Sequence, residues 1–171
     1  EFRRVLFRSY NTNTSNDRSA IVLDGASFVT IDSFNIDVSQ GAYGWGIYFT
    51  NQASDIIISN CNINTSETAT TNTHVGIVAN NSMTTLPTSG NIASNISILN
   101  NSINGGFYGI YFNGNTTNAT QNNNNKIIGN EVTNFYSYGI YSQYQSTGLT
   151  VNKNNISRPT RTSLSTGTNG G

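Results

Sequence analysis

Six aromatic residues recur at two fixed positions of a repeat, and their spacing carries the strongest chemical signal in the sequence. The first position holds Trp45, Tyr108 and Tyr138, and the second holds Tyr48, Tyr111 and Tyr141. Flat rings near amide side chains suit a sugar chain, whose apolar C–H faces stack on rings while its hydroxyls hydrogen bond to amides. If the second position faces outward, these six residues are candidate ligand-binding residues. The alternative interpretation is that the rings only support one another along the strands.

Acidic residues give a weaker signal. Hydrolysis of a glycosidic bond, or binding of a metal ion, needs several charged groups within a few ångströms. When the repeats are aligned, three aspartates stand opposite uncharged residues of the next unit. The pairs are Asp24 with Thr50, Asp32 with Ser59 and Asp37 with Asn64. We therefore expect turn caps or solvated positions for these aspartates, and we predict no catalytic residue, no metal site and no cofactor.

The remaining reactive side chains are isolated in the sequence. Cys61 has no basic neighbour in sequence that would favour its thiolate, so it is predicted to be a small buried hydrophobic residue. His74 is expected at the surface or in a turn, and Arg158 and Arg161 as solvated charges after the last strand. A chain with one Cys and one His offers too few ligands for a Cys/His zinc site.

The aromatic positions belong to a repeat built on a Gly-Ile-Tyr-like tetrad. The tetrads at 46–49, 76–79, 109–112 and 139–142 start 30, 33 and 30 residues apart. Each is followed by an alternating strand and by an Asn-rich turn that closes on Ile or Val. A period of this size with strand-like alternation predicts a stack of similar coils. Alternation also predicts that Ile47 and Phe49 point inward while Tyr48 points outward.

Stacked coils would bring equivalent residues into columns. The predicted interior column is Ile31, Ile58, Ile98, Ile127 and Val151, and the predicted closing column is Ile36, Ile63, Ile103, Val132 and Ile156. One turn position holds Phe34, Cys61, Asn101, Asn130 and Asn154. Three stacked asparagines there predict a ladder of amide hydrogen bonds from coil to coil. Longer insertions at 68–91 and 114–124 are expected to lie in turns on one face.

Composition supports this fold class and narrows the partners. The 171 residues include 29 Asn, and only 9% are charged, with a formal net charge of zero. β-branched residues favour pleated strands, and Asn and Gly favour the bends between them. A chain without a basic stripe is a poor match for nucleic acid, and it has no apolar run long enough to span a membrane. Low charge with many Asn, Thr and Ser is typical of a secreted or cell-surface bacterial protein.

The first nine residues fit no later repeat and hold three of the eight basic residues. They resemble a translated sequencing adapter more than a signal peptide, since they lack a long apolar centre and a small-residue cleavage site. Our hypothesis is that residues 1–9 are a non-native scar and that the β-helix domain spans 10–171. A native gene encoding the same nine residues would contradict this boundary.

The strand pattern Gly-Ile-x-Φ followed by x-Ile-x-x-Asn-x-Ile resembles the repeat of right-handed parallel β-helix proteins of the pectate-lyase-like class. The likeness covers roughly residues 19–162, and it is similar in particular to secreted or surface β-helix regions of Bacteroidetes-type bacteria. The resemblance implies a fold more than a function, because this class includes polysaccharide lyases, glycoside hydrolases, epimerases, phage tailspikes and noncatalytic surface repeats.

The sequence thus predicts an all-β, right-handed parallel β-helix, a single-stranded solenoid of about five coils within a longer solenoid. The expected function is a noncatalytic extracellular module that binds polysaccharide or forms part of an adhesin-like surface protein. A fragment of a polysaccharide lyase or glycoside hydrolase is the first alternative, and a purely structural spacer is the second. The expected partners are polysaccharide and further β-helix coils of the same full-length chain.

Overall fold

A computed structural model describes residues 7–90, 93–116, 122–145 and 148–163. Within these ranges the chain forms 16 strands and no helix. In chain order the strands are β1 (Phe7–Ser9), β2 (Ser19–Asp24), β3 (Ser27–Asp32), β4 (Asn35–Val38), β5 (Gly44–Thr50), β6 (Ser54–Ser59), β7 (Asn62–Thr65), β8 (His74–Ala79), β9 (Ser94–Leu99), β10 (Ser102–Asn104), β11 (Tyr108–Asn113), β12 (Lys126–Ile128), β13 (Glu131–Thr133), β14 (Tyr138–Gln143), β15 (Thr150–Asn152) and β16 (Asn155–Ser157).

The strands assemble into three parallel sheets that run along the stack. Their orders are β2-β5-β8-β11-β14, β3-β6-β9-β12-β15 and β1-β4-β7-β10-β13-β16. Each sheet therefore takes every third strand, because the chain visits the three sheets in turn before it returns to the first. The predicted all-β parallel β-solenoid is confirmed. The right-handed sense and the count of about five coils stay predictions.

The aliphatic columns have the predicted register. Ile31 pairs with Ile58, Ile58 with Ile98, Ile98 with Ile127, and Ile127 with Val151. The closing column pairs just as predicted, from Ile36 to Ile156. The four isoleucines are buried, whereas Val151 at the end of the stack is 49% exposed. Each buried Ile contributes roughly 1.5–3 kcal/mol, so the interior column adds several kcal/mol to the stability of the solenoid.

The predicted asparagine ladder is also present. Asn101 Nδ2 donates to Asn130 Oδ1 at 2.9 Å, and Asn130 Nδ2 donates to Asn154 Oδ1 at 3.0 Å. The Oδ1 atom of Asn101 accepts the backbone N–H of Cys61 at 2.9 Å. The residue before each ladder position is left-handed, with φ of 52° at Asn60. Asn and Gly are favoured there because they adopt this conformation at low cost.

Cys61 behaves as the sequence predicts. It is fully buried in the aliphatic core, and burial raises the pKa of its thiol. A thiol held neutral in an apolar setting is a structural residue and a poor nucleophile.

The prediction for the arginines after the last strand is wrong. Arg161 is only 7% exposed, and its guanidinium donates to the carbonyl oxygens of Ala69, Gly106 and Asn134. Arg158 donates to Ser137 O at 3.1 Å. These bonds fold the segment after β16 back along the turns of earlier coils. A guanidinium reaches several carbonyls at once, so it can close a gap that neutral side chains would leave unsatisfied.

The amino-terminal segment takes part in the fold as far as the structure describes it. Phe7–Ser9 form β1, which pairs with β4 in parallel, Phe7 opposite Asn35. Residues 1–6 lie outside the described residues. The non-native origin of residues 1–9 stays a prediction. In the described part of the chain, no helix has the length and apolar character needed to cross a membrane.

Candidate functional site

The two aromatic positions form continuous columns on the outer side of the first sheet. Trp45 pairs with Val75, Val75 with Tyr108, and Tyr108 with Tyr138. Parallel to this column run Tyr48, Val78, Tyr111 and Tyr141. We call this surface of β5, β8, β11 and β14 the aromatic face. Its rings form a cluster of their own, separate from the interior core that holds Ile47 and Phe49. The predicted orientation of Tyr48 away from the interior is therefore confirmed.

Half of the aromatic face is covered, contrary to the expectation of an open row of rings. Trp45 and Tyr48 have no exposed surface, and Tyr111 is only 2% exposed. The cover is the segment 80–90, whose Leu86 and Met83 pack against these rings. Trp45 is further closed by Arg18, whose guanidinium carbon lies 4.8 Å from the ring centre. The insertion after β8 thus forms a second hydrophobic core with these rings, outside the coil.

Asn80 holds the covering segment in place. Its Nδ2 donates to the carbonyl oxygens of Ser82 and Thr85 at 2.8 and 2.9 Å, and its Oδ1 accepts the backbone N–H of Thr88 at 2.9 Å. The carbonyl of Asn80 accepts a hydrogen bond from the Tyr48 hydroxyl at 3.1 Å. One fully buried amide therefore closes a loop that has no strand partner of its own.

The other half of the face remains partly open and consists of Tyr108, Tyr138 and Tyr141. The rings of Tyr108 and Tyr138 are stacked with centres 6.0 Å apart, and Tyr141 stacks on Tyr111 at 5.1 Å. Burial of its inner edge raises the pKa of Tyr108 to about 12. The Tyr108 phenol is therefore a neutral donor and acceptor at physiological pH. This open half offers half-buried, mutually braced rings to a ligand.

A small groove adjoins the open half at the carboxyl end of β11 and β14. Among the described residues it is lined by Pro87, Ser89, Asn113, Thr116, Gln143 and Tyr144, and its volume is about 190 Å³. Tyr141 links the rings to this groove, because its hydroxyl donates to Gln143 Oε1 at 2.9 Å. Along β14, the rings of Tyr138 and Tyr141 are thus followed by the Gln143 amide and then by the groove.

The aspartates do not gather into a catalytic or metal-binding group. Asp32 Oδ1 accepts from Ser59 Oγ and from Asn60 Nδ2 of the next coil at 2.6 and 2.7 Å. Asp37 and Asn64 form a similar contact at 3.4 Å. In the residues that the structure describes, no group of three or more His, Cys, Asp or Glu side chains could hold a metal ion. The aspartates serve as acceptors that tie neighbouring coils together.

A larger polar groove of about 440 Å³ lies on the turns after β4 and β7, between residues 39–41 and 64–68. Glu67 is its only charged lining residue among those described, and this carboxylate accepts from Asn104 Nδ2 at 2.8 Å and from Asn134 Nδ2 at 3.4 Å. Bonds of this kind hold the turns together, so Glu67 already has a structural role. None of the described residues that line this groove is aromatic, which separates it in chemistry from the aromatic face.

The prediction that His74 lies at the surface or in a turn is wrong. It is 5% exposed at the start of β8, where its Nδ1 lies 3.1 Å from the Thr73 hydroxyl. Burial lowers the pKa of its imidazole, so the ring is neutral. The pairing of Gly44 with His74 explains the burial, because Gly44 leaves room for the ring.

Sequence reasoning did not single out the position that directly follows each tetrad. This position holds Thr50 in the first tetrad repeat and an amide side chain in the other three, at Asn80, Asn113 and Gln143. Asn80 anchors the cover, and Asn113 and Gln143 line the small groove. The sequence could have predicted this position, because side chains two residues apart on a strand point to the same face, so Asn113 points outward like Tyr111.

Comparison with known proteins adds no relative from which a function could be transferred. No family model, no curated protein and no solved structure matches the chain.

Proposed function

We propose that this protein is a noncatalytic extracellular β-helix module that binds polysaccharide on the open half of its aromatic face. The observation that carries the proposal is the half-buried row of Tyr108, Tyr138 and Tyr141 beside an amide-lined groove. The wider setting is that of a secreted or surface protein resembling the pectate-lyase-like class, in which further coils extend the same solenoid.

The physical basis is the pairing of flat rings with amides along one strand. A pyranose ring presents axial C–H groups that pack on an aromatic face, and its equatorial hydroxyls find donors and acceptors at the edge. The tyrosines brace one another, with Tyr138 and Tyr141 centres 5.5 Å apart, so little side-chain entropy is lost when a ligand binds. β14 extends roughly 16 Å from Tyr138 to Gln143, which suits several linked sugars and not one.

The proposal is tested with a glycan array followed by calorimetry on the neutral or acidic oligosaccharide that gives signal. Tyr138→Ala and Tyr141→Ala should each weaken binding about tenfold, because each removes one stacking platform. Phe28→Ala is the matched control, since Phe28 is an 86% exposed aromatic residue of the first coil outside the aromatic face.

Two results would count against polysaccharide binding. A silent array for the wild-type protein would favour the structural spacer. A loss of binding in Phe28→Ala equal to that in Tyr138→Ala would indicate nonspecific adsorption to exposed rings. Release of unsaturated uronide products, measured by absorbance, would instead favour a polysaccharide lyase.

A further inference from the structure

The small groove beside the open tyrosines contains a buried hydrogen-bond acceptor that lacks a partner. Asn113 has no exposed surface, yet it is one of the residues that line the groove. Among the described residues, no donor reaches its Oδ1 atom, and the hydroxyl of the neighbouring Tyr111 is also unpaired. Leaving a buried polar atom unsatisfied costs on the order of 1–3 kcal/mol. An acceptor kept at that cost beside a groove can be stabilised by a donor from outside the chain.

The hydrogen-bond network fixes which side-chain atom of Asn113 is left without a partner. Asn80 must present its Oδ1 to the Thr88 N–H, because its Nδ2 already donates to Ser82 and Thr85. That Oδ1 also accepts from Asn113 Nδ2 at 3.4 Å. Exchanging the oxygen and nitrogen of Asn113 would set two acceptors against each other. The unpaired atom is therefore the carbonyl oxygen, which requires a hydroxyl or an N–H group.

Tyr144 forms one wall of the groove in a costly backbone conformation. Its φ is 55°, whereas the equivalent position of the first two repeats holds Gly25 and Asn51, at φ of 60° and 52°. A bulky residue in the left-handed region costs roughly 1–2 kcal/mol, a cost that Gly or Asn largely avoids. The ring is 40% exposed, so it receives little packing energy in return. Such strain at a groove wall is a frequent mark of a binding residue.

We infer that this groove is the subsite for one neutral sugar unit, with Asn113 Oδ1 accepting from a sugar hydroxyl and Tyr144 packing on its C–H face. The inference rests on the proposed polysaccharide binding and makes it more specific. All six described lining residues are uncharged, so none of them would compensate the charge of a buried uronate. Gln143, held by the Tyr141 hydroxyl, connects this subsite to the open tyrosines. The ligand is then a neutral polysaccharide that lies along β14.

The test compares four proteins by calorimetry: wild type, Tyr138→Ala, Tyr144→Asn and Lys153→Asn. The probes are neutral hexasaccharides of β-glucan, mannan and xylan, with hexagalacturonate as the acidic probe. Tyr144→Asn should raise the Kd for a neutral probe about tenfold while the urea midpoint stays equal or rises, because Asn tolerates the left-handed backbone. Lys153→Asn is the matched control, with the same φ of 55° at a residue that does not line the groove. It should not change Kd.

A second readout follows Asn113 directly. In a 15N-labelled protein, the side-chain amide resonance of Asn113 should shift when the neutral probe is added and should shift less in Tyr144→Asn. Binding of a neutral probe that depends on Tyr138 but not on Tyr144 overturns the subsite and leaves the proposed function intact. Preference for hexagalacturonate also overturns the neutral subsite alone. Absence of binding to every probe overturns both proposals.

Discussion

The two halves of the aromatic face use the same repeat positions for different purposes. In the covered half, Trp45, Tyr48 and Tyr111 are buried by the segment 80–90 and act as a second hydrophobic core. In the open half, Tyr108, Tyr138 and Tyr141 keep part of their surface in solvent. The difference does not come from the columns, whose register is continuous from β5 to β14. It comes from the inserted segment 80–90. A repeat position in a solenoid therefore fixes the direction of a side chain, but it does not fix how much of that side chain is exposed to solvent.

The largest expected effect distinguishes the halves by stability. Tyr48→Ala should lower the free energy of unfolding by roughly 3–4 kcal/mol, because it opens a cavity and removes the hydrogen bond to Asn80 O. Tyr138→Ala should cost less than about 1 kcal/mol, since its ring keeps part of its surface in solvent. Urea unfolding followed by circular dichroism measures both. Equal losses in the two variants would show that the cover does not separate the halves.

The cover itself can be weakened without touching a ring. Asn80→Ala should cost about 2–3 kcal/mol, because the Thr88 N–H and the carbonyls of Ser82 and Thr85 lose their partner. The single tryptophan of the chain, Trp45, reports on the cover, since its ring is now fully buried. Acrylamide should quench Trp45 fluorescence more strongly in Asn80→Ala than in the wild-type protein.

Asn60→Ala serves as the comparison for that experiment, because Asn60 lies in the turn between β6 and β7 and is not part of the aromatic cluster. Its replacement should lower stability through the left-handed backbone, with φ of 52°, and leave quenching of Trp45 unchanged. If both variants increased quenching equally, Trp45 would report general loosening of the solenoid and not opening of the cover.

The interior of this protein was predictable from the sequence because insertions are confined to turns. The step from Ile58 to Ile98 spans 40 residues against 29 from Ile98 to Ile127, yet both pairs of isoleucines lie in register. Identical side chains, parallel strands and the Asn101 to Asn154 ladder reinforce one register, and a shift by one residue would turn every strand inside out. The asparagine ladder was therefore as predictable as the apolar columns.

The environment of the outer face was not predictable in the same way. The segment 80–90 follows no repeat, so nothing in its pattern indicates that Leu86 reaches back to Tyr48 or that Asn80 closes the loop. The burial of Arg161 was missed for a related reason. Its acceptors Ala69, Gly106 and Asn134 come from turns of three different lengths, and only their assembly places the carbonyls around one guanidinium.

Alkaline pH should reveal the burial of the aromatic face through ionisation of its tyrosines, both in the covered half and at Tyr108 of the open half. The folded pKa of Tyr108 is about 12 against an ordinary value of 10, and burial raises the pKa of Tyr111 further. Because the folded state binds more protons than the unfolded state between these values, stability is fully present below about pH 10 and falls as pH rises toward 12. After a discount for partial exposure, the loss for Tyr108 is on the order of 1 kcal/mol.

The measurement is a titration of tyrosinate absorbance at 295 nm alongside circular dichroism. Ionisation of Tyr48, Tyr108 and Tyr111 should appear as a later phase, above pH 10, that coincides with loss of the β-sheet signal. In Asn80→Ala the later phase should move to lower pH, because an opened cover hydrates Tyr48 and Tyr111. A single phase with no link to the circular dichroism signal would contradict burial of the tyrosines.

The smallest expected effect concerns an aromatic residue that no insertion covers. Phe28 is 86% exposed and left-handed, with φ of 57°, at a position that later repeats fill with Asp55, Asn95 and Asn124. Phe28→Asn should raise the free energy of unfolding by about 0.5–1 kcal/mol, because Asn adopts this backbone at lower cost and no packing is lost. A higher urea midpoint with an unchanged m-value is the expected result. The reciprocal variant Asn95→Phe should lose more than Phe28→Asn gains, because Asn95 Nδ2 also donates to Asp55 Oδ1 at 2.9 Å. If Phe28→Asn lowered the midpoint instead, the exposed ring would be packing in solution on part of the chain, and Phe28 would belong with the covered rings.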